Sequence, residues 1–174
     1  MKILKKTLQI LILSFFLQNI SNASVPYFID FKFILNESQA GKKAQKFLKE
    51  KLEKGIKNIQ TEEKKILDQE KQLINQKKVI SPEEYKNKVK ELRKKVSSLQ
   101  KKRNLLLESV SKQRTEARNE LLKNLNPIIK QYMKDKKIRM VLDKKSLLLA
   151  DENLDITGEI MNELNKKLKS ISLK

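Results

Sequence analysis

The stretch Leu73-Ile74-Asn75-Gln76-Lys77-Lys78-Val79-Ile80-Ser81-Pro82-Glu83-Glu84-Tyr85 decides the fold, because one helix must stop and another start inside it. Ser81 suits an N-cap and Pro82 the first helical position. Glu84 completes a capping box, and both acids favour a helix N-terminus. Ile80 and Tyr85 occupy the two positions of a hydrophobic staple around that cap. The chain is therefore expected to turn at Ser81.

Upstream of the turn, a helical pattern runs without proline from Asn36 and Ser38, which offer capping oxygens, to Ile80. Leu52, Ile59, Ile66, Leu73 and Ile80 recur every seven residues, the spacing of a coiled-coil seam. A second seam is patchier, with Leu48 and Ile56 giving way to Glu63, Glu70 and Lys77. At ~1.5 Å per residue this helix extends roughly 60 Å, beyond what a compact domain of this size can cover. Downstream, a 4-3-4-3 pattern passes through Tyr85, Val89, Leu92, Val96, Leu99, Arg103, Leu106, Val110, Gln113 and Ala117. An antiparallel helical hairpin is the simplest structure that buries both seams. Further on the phase slips to Leu121, Leu125, Ile128 and Tyr132, and Asn126-Pro127 predicts a kink or a capped restart.

Charge is concentrated in the same hairpin. Residues 42–137 carry 29 Lys or Arg against 13 Asp or Glu, a surplus of +16, whereas residues 24–41 sum to −1 and residues 138–174 to +1. A bare charge run is most often a solvated helix face. Solvated coiled coils, however, interleave signs for i to i+4 pairing, and a surplus this large brings self-repulsion that solubility alone does not require. The candidate basic surface comprises Lys42, Lys43, Lys64, Lys65, Lys77, Lys78, Lys94, Lys95, Lys101 and Lys102, a pattern suited to an acidic chain or an anionic surface.

The flanking segments read as a small β-rich body. Tyr27–Phe33 is dense in aromatic and β-branched residues and is expected to form a strand. Ile138–Asp143 is a second expected strand, and Leu147–Ala150 a third after a Lys144-Lys145-Ser146 turn. Asp155 is placed to cap a closing amphipathic helix with Ile156, Ile160, Leu164 and Leu168 on one face. Roughly 60 residues are too few to bury a generous core. Subunit contacts are accordingly expected through Tyr27, Phe28, Ile29, Phe31, Met140, Val141 and Leu142, with strands joining a shared sheet or barrel across chains. The fold class expected is mainly α with a small β body, and the units are residues 24–41 with 138–174 for the body and 42–137 for the arm.

Residues 1–23 read as an export signal: Lys2, Lys5 and Lys6 precede a mostly apolar run Leu8–Leu17, and Ser21-Asn22-Ala23 sets small residues for cleavage after Ala23. The apolar run falls well short of the ~18 residues that span a bilayer. The chain has no Cys and no His, so disulfides, thiolate chemistry and the usual general bases and zinc ligands are absent. Gly41, Gly55 and Gly158 are its only glycines, which leaves no phosphate loop. No catalytic, cofactor-binding or metal-binding residue is assigned, and the chain is not read as an enzyme.

Three segments stand out together: Ile29-Asp30 followed by Leu35-Asn36-Glu37-Ser38-Gln39-Ala40-Gly41-Lys42-Lys43-Ala44 at the head of the long helix, then Met140-Val141-Leu142-Asp143-Lys144, then Ala150-Asp151-Glu152-Asn153-Leu154-Asp155-Ile156-Thr157-Gly158-Glu159-Ile160. In combination they resemble the periplasmic outer-membrane-protein chaperones of the Skp (OmpH-like) family. The middle of the chain is similar in charge and periodicity rather than motif. The resemblance implies a homotrimer with a β-barrel body shared between subunits. Its three coiled-coil tentacles would enclose a cavity in the periplasm that holds unfolded outer-membrane proteins without ATP. It also implies a relation to anionic lipid or lipopolysaccharide, for which no site is assigned.

Two other functions compete. A nucleic-acid-binding module would also use positive charge, but 35 of the 40 basic residues are Lys rather than Arg, and only Phe47, Tyr85 and Tyr132 interleave the arm for base stacking. No specific nucleic-acid partner is expected. A structural coiled-coil spacer would fill its seams, whereas Glu63, Glu70, Lys77, Arg103 and Gln113 interrupt them. Gly55 is read as either a hinge or a tolerated helical glycine, and Gly41 as either a close-packing point or a tolerated weakness.

Overall fold

Ser81 does end one helix and begin another. In the computed structural model, which describes residues 25–173, its hydroxyl accepts from the Glu84 N–H at 3.2 Å. The expected signal segment lies outside the described residues. Two helices form the hairpin, α2 (Gln39–Gln76) and α3 (Pro82–Asp135). Ser38 opens α2 in the same manner, with the Gly41 N–H on its hydroxyl at 3.2 Å. No described helix is long and apolar enough to cross a membrane.

The seams close largely as the periodicity requires. Leu48, Ile59 and Leu73 of α2 are buried, as are Leu99, Val110, Gln113 and Ala117 of α3. Gln113 is the polar member of this seam, and its Oε1 accepts from Lys51 Nζ at 2.9 Å across the hairpin. Lys102 reaches Glu62 at 2.7 Å, Lys95 reaches Gln69 at 2.8 Å, and Lys88 reaches Gln76 at 3.3 Å. In all four pairs the two residue numbers add to 164, so one register runs from root to tip. Gly55 lies within the continuous α2, and a Cβ there would stand 2.5 Å from Leu106 Cδ2, so the missing side chain lets the helices close up.

At Pro127 no capped restart occurs, and α3 runs on to Asp135. The buried flanks Leu125 and Ile128 hold the turn against the body, which outweighs the proline's missing hydrogen bond. A Schellman motif then ends α3: Ile138 N–H donates to the Met133 carbonyl at 2.8 Å and Lys137 N–H to that of Lys134 at 3.3 Å, with Lys137 at φ 55°. Buried Ile138 supplies the apolar contact that commonly accompanies this motif.

Two short strands follow a different plan from the expected one. Strand β1 (Tyr27–Ile29) pairs in parallel with β2 (Val141–Asp143), Phe28 opposite Leu142. The expected strand through Phe33 stops at Asp30, whose carboxylate accepts from the Phe33 N–H at 2.8 Å and starts helix α1 (Phe31–Glu37). Phe31 is thus helical, and α1 turns Ile34 fully into the core. Leu147–Ala150 is not a strand. The other edge of β1 is already taken by a bridge to Asp155, with Ile156 N–H on the Phe28 carbonyl at 3.0 Å, so this segment cannot join β1, and it does not pair with the outer edge of β2.

The closing helix α4 (Thr157–Lys167) forms as expected and buries Ile160 and Leu164 completely. They meet Leu121, Leu125 and Ile128 of α3, Ile34 of α1, Ala40 of α2 and Ile29 of β1 in one core at the root of the arm. Asp155 locks the closure: its carboxylate accepts from the Thr157 hydroxyl and, at 2.9 Å, from the Thr157 N–H, while the same hydroxyl accepts from the Asp30 N–H at 2.7 Å. Lys144 Nζ lies 3.5 Å from the carboxylate. Burial tends to raise the Asp155 pKa, but the Thr157 hydrogen bonds and the Lys144 charge outweigh it and hold the carboxyl below its ordinary value.

Gly41 has the tightest surroundings of the three glycines, since a Cβ there would stand 2.0 Å from the Leu35 carbonyl oxygen. Gly41→Ala is expected to destabilise the protein by about 2 kcal/mol or more despite alanine's better helix propensity. Gly158→Ala, which meets open space, is expected to be neutral or mildly stabilising, and thermal melts of both variants check this. The Asp155 lock predicts an acid limb. A carboxyl whose folded pKa is lowered stabilises the fold above its unfolded value, and this is lost as pH falls through the lowered one. As pH falls below about 4, the urea midpoint of the wild type should fall more steeply than that of Asp155→Asn.

Candidate functional site

Two surfaces are candidates for function, the long arm and the open side of the body. On the arm, Lys43, Lys64, Lys65, Lys78, Lys94 and Lys101 are exposed. Lys42 pairs with Glu37 at 2.8 Å, and Lys77 lies 5.8 Å from the centroid of the Tyr85 ring. Lys95 and Lys102 make the cross-hairpin bonds described above. The structure therefore spreads these ten lysines along the hairpin rather than gathering them into one site. Exposed pairs of this kind contribute at most about 1 kcal/mol each, so the charges do little for stability.

Near the root, α2 and α3 part to leave an open groove of about 800 Å³. Its floor is apolar, made by Leu48, Leu52, Val110, Ala117 and Leu121, and its rim carries Lys42, Lys46, Lys49, Arg114 and Arg118. Lys46 and Lys49 reach Glu50 and Glu53 at 3.9 and 3.8 Å. Arg114 and Arg118 have no anionic partner among the described residues. They stand one helical turn apart, an arrangement in which like charges repel. Sequence reasoning did not single out this pair. The available signal was two of only five arginines spaced i to i+4 in a chain that otherwise uses lysine.

On the body, Phe28 and Ile29 are buried and Tyr27, Phe31, Val141 and Leu142 half-buried, all within the chain's own packing. Met140 stands apart from them at 54% exposure. Leu148 and Leu149, in the segment that follows β2, are fully exposed, a pair that the strand reading had assigned to a sheet. Strand β2 has a partner on one side only. Among the described residues the body thus has a strand edge without a partner and exposes Met140, Leu148 and Leu149.

No group of acidic residues among those described could hold a metal ion. The tight polar cluster of Asp155 with Thr157 and Lys144 is spent on closing the body.

Comparisons with known proteins agree with this geometry. No protein of curated function matches the sequence at a significant level. Among solved structures, the chain is similar to a Caulobacter crescentus protein named as an OmpH-like outer membrane chaperone, with a TM-score of 0.79 at 21% identity, covering 89% of this chain and 93% of that one. That likeness establishes the shared fold of small body and long hairpin. The sequence profile of the family described as outer membrane protein (OmpH-like) matches residues 27–164, from the first residue of β1 to the last buried leucine of α4. The chain therefore belongs to the OmpH-like family.

Proposed function

We propose that this protein is a periplasmic, ATP-independent holdase that binds unfolded outer-membrane proteins after export and keeps them from aggregating. The observation that carries the reading is the division of labour in the chain. A small body closes on itself with its own core, while the arm of residues 42–137, built on two helices of 38 and 54 residues, carries the +16 surplus away from it. Membership of the OmpH-like family supports the same reading. Such an arm offers charge and reach but no reacting group.

The working unit is a homotrimer in which the open β2 edge and Met140, Leu148 and Leu149 meet neighbouring subunits, so that three arms surround one client. An unpaired strand edge and fully exposed leucines are both features that a monomer would be selected to avoid. Once a client touches several arms, linked contacts act at high effective concentration and release is slow.

Long-range attraction by the arms predicts salt-sensitive capture, since exposed charges are screened beyond ~8 Å at physiological ionic strength. Replacing Lys42, Lys43, Lys64, Lys65, Lys77, Lys78, Lys94, Lys95, Lys101 and Lys102 by Gln removes ten charges with little change in helix propensity. The expected result is an association rate with an unfolded outer-membrane β-barrel protein reduced about tenfold or more, with helicity and native mass retained. Stopped-flow fluorescence at two salt concentrations reads both effects, and light scattering of the diluted client reads the holdase activity itself. Capture indifferent to salt and to all ten substitutions would reduce the charge surplus to a solubility feature.

A further inference from the structure

The hairpin has two unlike broad faces. The four bonds from Lys51 to Gln113, Glu62 to Lys102, Gln69 to Lys95 and Gln76 to Lys88 lie at one level each along one face. Each residue along a helix turns 100° about its axis, and in two antiparallel helices the next residue after each seam position turns toward the same side of the pair. Ile56 follows Gly55, and Leu107 follows the Leu106 that packs on it. The pair therefore emerges together on the face opposite those bonds.

The pattern repeats. Ile56, Leu67 and Ile74 are separated by 11 and 7 residues, close to whole numbers of turns, and Leu107, Val96 and Val89 repeat the same intervals in reverse. Each pair adds to 163, next to the register total, so the residues stand level as three apolar rungs. Five of the six are exposed, Ile56 42%, Leu67 50%, Ile74 59%, Val96 52% and Leu107 54%, and Val89 is half-buried. The root groove with Arg114 and Arg118 opens on this same side, since both residues fall on the α3 stripe of Val96 and Leu107. From Leu48 to Ile74 the track runs about 40 Å at 1.5 Å per residue. Phe47, Leu105 and, at the turn, Val79 are the exposed large apolar residues of the described arm that lie off it.

We infer that this face is the surface on which each arm holds its client, and that it takes a flexible unfolded chain bearing apolar side chains and net negative charge. The inference rests on the holdase reading above and names which side of the arm does the work. The rungs are about 10 and 16 Å apart, with Glu63, Glu70, Gln60 and Arg103 between them. A rigid partner helix needs an unbroken apolar stripe. A pliable chain can set an apolar side chain on each rung and pass its polar backbone between. Two copies of this protein face to face would oppose one +16 arm with another, which excludes self-docking on this track. The opposite face is bridged by lysine bonds and lined near the tip by Gln72, Gln76, Glu91 and Lys95, which offer little apolar area.

The test uses the full mature chain and an unfolded outer-membrane β-barrel protein of net negative charge. Ile56→Gln, Leu67→Gln, Val96→Gln and Leu107→Gln together leave charge and helix propensity nearly unchanged. They should speed client release about tenfold while leaving the low-salt association rate intact. Photo-cross-linkers at Leu67 or Val96 should capture the client, and those at Gln72 or Glu91 on the other face should capture several-fold less. Helicity by circular dichroism confirms that the variants fold. Unchanged release, or equal cross-linking from both faces, overturns the inference while leaving the holdase reading standing. A wild type that fails to suppress client aggregation overturns both.

Discussion

Everything in this molecule hangs on one small core at the root of the arm. Leu125 of α3, Ile34 of α1 and Ile160 and Leu164 of α4 are fully buried there, and Ile29 of β1 joins them. These residues come from the segments on either side of the hairpin and from the end of the returning helix, so the core forms only after the whole hairpin has been traversed. Such long-range closure is costly in chain entropy. Two devices hold it. Strand β1 lies between β2 and the Asp155 bridge, and the Thr157 hydroxyl joins the Asp30 backbone to the Asp155 carboxylate. The φ of 55° at Lys137 redirects the chain out of α3 toward the sheet.

Beyond the root, different physics governs. The arm has a thin seam in which Leu73 and Leu99 are buried but many neighbours stay half-exposed, and it carries like charges that repel one another. Its stability comes from that apolar seam, while cross-hairpin bonds, of which the one between Lys51 and Gln113 is the most enclosed, keep a single register. A polar contact within an apolar seam discriminates among registers, because a slip would leave its groups unpaired. The apolar rungs then follow as residues that the thin seam cannot cover. The same economy of packing that makes the arm slender leaves one face of it sticky.

Much of this was legible in the sequence. Ser81-Pro82-Glu83-Glu84 announced the turn and the seven-residue spacing announced the seam, because capping and periodicity are local properties. The closing helix was legible for the same reason. The body was less so. Asp30 was read as part of a strand because the aromatic alternation around it is strong, whereas the structure uses its carboxylate to start a helix that carries Ile34 inward. Leu147–Ala150 has the composition of a strand, but a strand forms only by pairing: Asp155 occupies the second edge of β1, and the segment leaves the outer edge of β2 open. At Pro127 a local penalty was outweighed by the burial of Leu125 and Ile128. The two-faced arm required the register, which no single helix reveals. Arg114 and Arg118 gain meaning only once the floor between them and α2 is known.

The central claim is that a small closed root presents arms that jointly hold an unfolded chain. Native mass spectrometry of the mature protein, mixed without nucleotide with an unfolded outer-membrane β-barrel protein, tests this most directly. The account predicts a complex of three copies of this chain with one client. A mature protein that stays a single copy at all concentrations, with the client found only in aggregates, would contradict it.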